Sequence, residues 1–182
     1  MSDPSIYTYP SPLEGYEGLE PLTVEYVSEG ADAKSLVNTL PKLPSPAYKK
    51  FVEPITNGSR GGFDVHIYYV GESETKFAAA LHERIRREFP ELRTYRFWDR
   101  PVGPHPVSMF EVNLFTPEQF GAFVPWLVIH RGPLSVLVHP NTGDDIRDHT
   151  QRSIWMGQPY PLQIGLLREV VESEKAAGSN KS

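Results

Sequence analysis

Residues 63–90 read FDVHIYYVGESETKFAAALHERIRREFP, and the fold turns on how this run is parsed. Its first eight residues, Phe63–Val70, are rich in β-branched and aromatic side chains and read as a strand. Between Ser73 and Phe89 the apolar residues Phe77, Leu81, Ile85 and Phe89 recur at a spacing of four, which marks one face of a helix. Ser73 offers a hydroxyl cap, but Lys76 stands where a capping box needs Glu or Gln. Pro90 stops the helix, because proline lacks an N–H and clashes with the preceding turn.

The same alternation continues downstream. Leu92–Trp98 (LRTYRFW) reads as a second strand and Val107–Phe115 (VSMFEVNLF) as a third. Thr116 caps a second helix over Pro117–Ile129, with proline at its first position. Leu134–Val138 is a fourth strand. The order β-α-β-β-α-β predicts an α+β, ferredoxin-like fold: an antiparallel sheet with two helices on one face and the other face open. The spatial order 4-1-3-2 is carried over from that fold. Strand 1 is then expected antiparallel to strand 4 and parallel to strand 3, so that the start of strand 1 meets the end of strand 4 and the start of strand 3.

Successive strand residues point to opposite faces. In strand 1, Val65, Ile67 and Tyr69 form one set, and Asp64, His66 and Tyr68 the other. Phe110, Val112 and Leu114 stand opposite Val107, Met109, Glu111 and Asn113; Leu134, Val136 and Val138 stand opposite Ser135, Leu137 and His139. The apolar sets belong under the helices. His66 and His139 then share the open face, and His105 precedes strand 3 in a rigid Gly-Pro-His-Pro turn. Three imidazoles at one end of adjacent strands, about 4.8 Å apart, can converge on one metal at bonds of about 2.1 Å. His82 lies within the first helix, and His130 at the C-terminus of the second, where the helix dipole favours it; neither is expected as a ligand.

Composition narrows the classes. Charged residues make up 23% and hydrophobic residues 39% of 182, which is globular. A net charge of −5 argues against nucleic acid or an anionic membrane as partner. The absence of cysteine removes disulfides, thiolate sites and cysteine nucleophiles. No apolar run approaches a membrane span, and the acidic, proline-rich start does not read as a secretory signal, so a cytoplasmic location is expected. Three zones follow: a proline-rich N-terminal arm over 1–60, with one short strand expected at Leu22–Val27; a folded domain over 61–167; and a polar, frayed tail over 168–182.

Four short patterns, VHIYY (65–69), GPHP (103–106), LSVLVHP (134–140) and DHT followed by WMG (148–150 and 155–157), resemble the DOPA 4,5-dioxygenase family of fungi and bacteria, in the family's order over about a hundred residues. Family members commonly carry two histidines two apart in the first strand. Here the first of them is Asp64, so His66 acts alone or Asp64 contributes a carboxylate. The resemblance implies an extradiol ring-cleaving dioxygenase that uses non-haem Fe(II) and O₂ on a catechol, L-DOPA in pigment biosynthesis, and a ferredoxin-like fold often paired into dimers. An uncovered, partly apolar sheet face also favours a homodimer.

On this reading His66, His105 and His139 hold the metal, Fe(II) or zinc. Glu111 is an alternative ligand; placed about 20 Å from His105 along a strand, it would not share an ion with it. His149 is the candidate acid–base, since histidine titrates near neutral pH. Tyr68 is expected to donate a hydrogen bond to a reacting oxygen. Arg131 or Arg152 would hold a substrate carboxylate. Gly143-Asp144-Asp145 reads as a solvated turn. Two other readings use the same face: a non-catalytic dimer that binds a small ligand, and a zinc-bound relative without oxygenase activity.

Overall fold

The computed structural model describes residues 4–31, 33–38, 43–59 and 61–179, the last six by backbone alone. Two compact units result. The described residues of 4–45 form one, in which an isolated bridge pairs Tyr26 with Leu36 where a strand over Leu22–Val27 was expected. Residues 46–179 belong to the other. The arm expected over 1–60 therefore divides. Thr56 donates through its N–H and its hydroxyl to the Asn141 carbonyl, and Phe51 sets its ring edge against Phe63.

The larger unit runs β1 (Phe63–Tyr68), α1 (Gly71–Glu88), β2 (Arg93–Thr94), β3 (Met109–Leu114), α2 (Pro117–His130), β4 (Val136–Pro140), α3 (Asp145–Thr150), β5 (Ile154–Met156) and α4 (Ile164–Ser179). The sheet order is β2-β3-β1-β4-β5, with every pairing antiparallel. This is the α+β, ferredoxin-like arrangement with a fifth strand added beside β4. The expected parallel pairing of strands 1 and 3 is corrected: His66 faces Glu111 and Tyr68 faces Met109 in an antiparallel register. The reason is topological. The α1 crossover leaves β2 parallel to β1, and β3 turns back on β2.

Local chemistry sets the boundaries. Gly62 has φ +72°, and a Cβ there would meet the Leu114 carbonyl oxygen at 2.0 Å, so glycine alone lets the chain enter β1. α1 starts two residues before the Ser73 expected to cap it; the Glu74 carboxylate accepts from the Val70 N–H instead. At α2 the Thr116 hydroxyl accepts from the Gln119 N–H as expected. β2 is shortened to two residues. The tail expected to fray from 168 is helical to Ser179: its Glu, Lys and Ala residues are good helix formers, and Leu167 is buried.

Val65, Ile67, Tyr69, Phe110, Val112, Leu114, Val136 and Val138 pack beneath Ala78, Leu81 and Ile85 of α1 and Phe123 and Leu127 of α2. Full burial of such an aliphatic or Phe side chain stabilises by about 1.5–3 kcal/mol. The second face has its own smaller cluster of Tyr68, Met109 and Leu137, covered by Trp98, Val102, Val107, Trp155, Tyr160 and Leu162. The bare apolar face invoked for a homodimer is thus covered by the chain itself. Among the described residues no helix is long and apolar enough to cross a membrane.

Candidate metal centre

The second face gathers four imidazoles. His66 comes from the middle of β1 and His139 from β4; the Gly103–Pro106 turn delivers His105, whose N–H bonds back to the Val102 carbonyl. The fourth, His149, rides on α3, which Asp144 caps by accepting from the Arg147 N–H. Ring centroids lie 4.0 Å apart for His66 and His105, 5.1 Å for His66 and His139, and 3.9 Å for His139 and His149. His66, His105 and His139 are each 5% exposed or less.

Their nitrogens are sorted by outward partners. His139 Nδ1 donates to the Pro140 carbonyl at 3.0 Å, and His149 Nδ1 to the Asp145 carbonyl at 2.8 Å. His105 Nδ1 contacts the Tyr68 hydroxyl at 2.7 Å. In each ring Nε2 is left for the interior, the pattern by which outer partners fix the tautomer of a ligating histidine. His66 Nε2 lies 3.0 Å from His139 Nε2, and His66 Nδ1 has no hydrogen-bond partner. Two nitrogens bound at about 2.1 Å and at a right angle stand about 3.0 Å apart.

Burial, reinforced by the neighbouring imidazoles, holds His105 down to about 3 and His149 down to about 4, and pushes His66 well below its usual range. Burial also lowers His139. All four are therefore neutral at pH 7, the form that binds metal. Burial raises Asp64, and burial with the Asp64 charge nearby raises Glu111 to about 7. Asn113 Nδ2 donates to both carboxylates, at 2.6 and 2.8 Å.

Two sets of side chains bring their ligand atoms mutually within 4.8 Å: His66, His105 and His149, and Asp64, His66 and His139. His66 is common to both. His105 and His139 fall in different sets, so the expected trio converges on one region without forming one ligand group. Neutral imidazoles, a nearby carboxylate and the partnerless His66 Nδ1 fit a divalent metal.

The family model for the Dopa 4,5-dioxygenase family matches residues 63–166. The chain belongs to that family. A fungal relative, an uncharacterised 21.2 kDa protein of Botryotinia fuckeliana, is 60% identical over 97% of this chain and 100% of its own length. A DOPA 4,5-dioxygenase of Amanita muscaria is 36% identical over 109 residues, 56% of this chain and 47% of that protein. A crystal structure of a candidate dioxygenase from Nostoc punctiforme shares the fold with a TM-score of 0.58 at 38% identity, covering 64% of this chain and 95% of that one. Membership makes the chain an enzyme of a dioxygenase family, whose chemistry takes a small molecule and O₂, and the centre above is where its residues can hold a metal.

The remaining site residues fall as follows. Glu111 is closer than strand counting allowed. The residues after His105 are loop until β3 begins at Met109, and Glu111 Oε2 lies 3.8 Å from His66 Nδ1. Arg131 turns to the Gly132 and Leu134 carbonyls, and Arg152 to Thr142 and to Asp148 at 2.9 Å. Tyr68 contacts His105 and stacks on Trp155. His82 Nε2 donates to the Tyr95 carbonyl at 2.9 Å, and His130 meets Arg84, both away from the centre. Sequence reasoning missed His149 as a ligand candidate, because a six-residue helix capped by Asp144 was read as a turn.

Proposed function

We propose that the protein cleaves a catechol, L-DOPA or a close relative, by extradiol addition of O₂ at a non-haem Fe(II) held by Asp64, His66 and His139. The observation that carries this reading is the Asp64–His66–His139 set, since two histidines and one carboxylate are the donors that suit Fe(II) and leave positions open. Asp64, His66 and His139 would hold the Fe(II), which would supply a Lewis acid for the catechol and the redox chemistry toward O₂. His149, neutral at pH 7 with its Nδ1 committed to Asp145, accepts a catechol proton at Nε2 and later returns it. Burial holds Tyr68 as the neutral phenol, from which it orients His105. Met109, Leu137 and Tyr68 exclude water from one flank. The family resemblance, rather than a bare sheet face, supports a homodimer, and a cytoplasmic location completes the proposal.

The all-histidine set of His66, His105 and His149 favours a second reading, zinc without oxygenase activity. The test loads anaerobically purified protein with Fe(II), adds L-DOPA, then air. The expected outcome is O₂ uptake and a yellow product, lost in Asp64→Ala and His139→Ala and retained in part by His105→Ala. Absence of uptake, together with metal loss in His105→Ala but not in Asp64→Ala, overturns the first reading and leaves the second.

A further inference from the structure

The register places Asp64 beside Asn113 and Asn113 beside Arg93, three polar side chains in a row across β1, β3 and β2. The next row puts His66 beside Glu111, whose carbonyl accepts from the Tyr95 N–H. Asp64, Glu111, Asn113, Arg93, Tyr95 and Phe115 line a cavity of about 300 Å³. That cavity abuts the metal centre, because Glu111 reaches to 3.8 Å from His66.

Its two ends differ in charge. At the inner end, two carboxylates share the Asn113 amide. At the outer end stands Arg93, exposed, with its guanidinium 4.7 Å above the Phe115 ring and one nitrogen donating to the Ser59 carbonyl. Arg93 lines the cavity and, among the described residues, forms no ion pair with a carboxylate, although its charge acts at longer range on Asp64 and Glu111. Arg152 is tied to Asp148, Arg131 turns to backbone carbonyls, and Arg93 is the arginine that lines this cavity.

We propose that Arg93 determines substrate class by binding a carboxylate on the side arm of the catechol, whose ring hydroxyls lie toward Asp64 and His66. This deepens the catechol reading above and rests on it. The dimensions agree. Arg93 stands two strand spacings, about 10 Å, from Asp64. With bonds of about 1.5 Å, a three-carbon acidic arm sets its carboxylate about 8 Å from the far ring hydroxyl. The guanidinium fork matches a carboxylate in two-pronged fashion. An arm that ends in an amine alone finds no partner at that end.

The test uses the full chain loaded with Zn(II), which binds without turnover, and anaerobic calorimetry with L-DOPA, 3,4-dihydroxyphenylpropionate and dopamine. The two acids are expected to bind roughly 10- to 100-fold more tightly than dopamine, the range of a charge-assisted contact. Arg93→Gln should weaken the acids at least about 10-fold more than dopamine, and Arg93→Lys should restore part of the loss. Far-UV circular dichroism checks that both variants fold. Equal weakening of all three ligands, no change in any, or no binding of any to the parent overturns the proposal. Parallel O₂ uptake by the Fe(II)-loaded protein separates the two ideas: acid-selective binding that depends on Arg93, without uptake, leaves Arg93 standing and removes the oxygenase reading.

Discussion

Two faces of one sheet are built from alternate residues of β1, β3 and β4, and their chemistry is opposite. Toward α1 and α2 stand Val65, Ile67, Phe110, Val112, Leu114, Val136 and Val138, all fully buried and without side-chain polar atoms. On the other face stand His66, Asn113 and His139, nearly as well buried but polar, with Asp64 and Glu111 half-buried beside them. The first face stabilises the fold. The second costs stability, because it holds imidazoles where they cannot take a proton and two carboxyls that burial pushes toward neutrality. The strands tolerate this because the apolar face fixes their register, and a one-residue slip would exchange the two sets.

Substitutions that act on one face only sharpen that contrast. The largest effect expected is on the histidine face: His139→Ala abolishes measurable O₂ uptake and lowers bound metal, while thermal unfolding of the metal-free protein stays cooperative. An oxygen electrode, metal analysis and calorimetry check this together. On the apolar face, Phe110→Ala should cost about 3–5 kcal/mol by opening a cavity, a fall in Tm of about 10 °C or more. Iron binding should persist at low temperature, where the variant is still folded.

Next comes Tyr68→Phe, which keeps the buried ring and removes the hydroxyl that His105 contacts. Turnover should fall no further than in His105→Ala, because the hydroxyl acts through that ring, with little change in Tm. Unfolding that shifts as far as in Phe110→Ala would make Tyr68 a packing residue.

The polar face also predicts a pH dependence. In the metal-free protein His105 and His149 are lowered from 6.5 to about 3 and about 4, and His66 and His139 are lowered too. Between those values and 6.5 the unfolded chain binds more protons, so stability rises with pH and is lost as pH falls below 6.5. Glu111, raised from 4.5 to about 7, acts in the opposite sense across 4.5 to 7. Four histidines outweigh it, and Tm of the metal-free protein should fall by several degrees from pH 6.5 to 4.5. Metal should reduce that slope by holding the ligands unprotonated. The smallest effect belongs to neither face: Thr116→Ala removes a helix cap worth about 1 kcal/mol and should leave metal content unchanged.

Much of this division is legible in the sequence. Alternation in three strands separated the faces cleanly, because each apolar set was uninterrupted, and the Gly-Pro-His-Pro turn marked His105. The relative direction of β1 and β3 was misjudged, although the α1 crossover fixes it. Glu111 was set too far from the histidines because distance was counted along an extended strand, whereas residues 105–108 are loop and the cross-strand register brings Glu111 to His66. α3, β5 and α4 left weak signals: two are six residues or fewer, and the third is a polar run whose helix propensity was undervalued. Arg93 carried no local motif; only the pairing of the two-residue β2 with β3 brings it to the cavity.

The central claim, that the polar face is one metal centre, is tested most directly through His66, which both ligand sets share. Anaerobic titration of Fe(II) into the metal-free parent should give one equivalent bound per chain, and none to His66→Ala at the same concentrations while its circular dichroism matches the parent. Undiminished iron binding by His66→Ala, or none by the parent, would contradict the account.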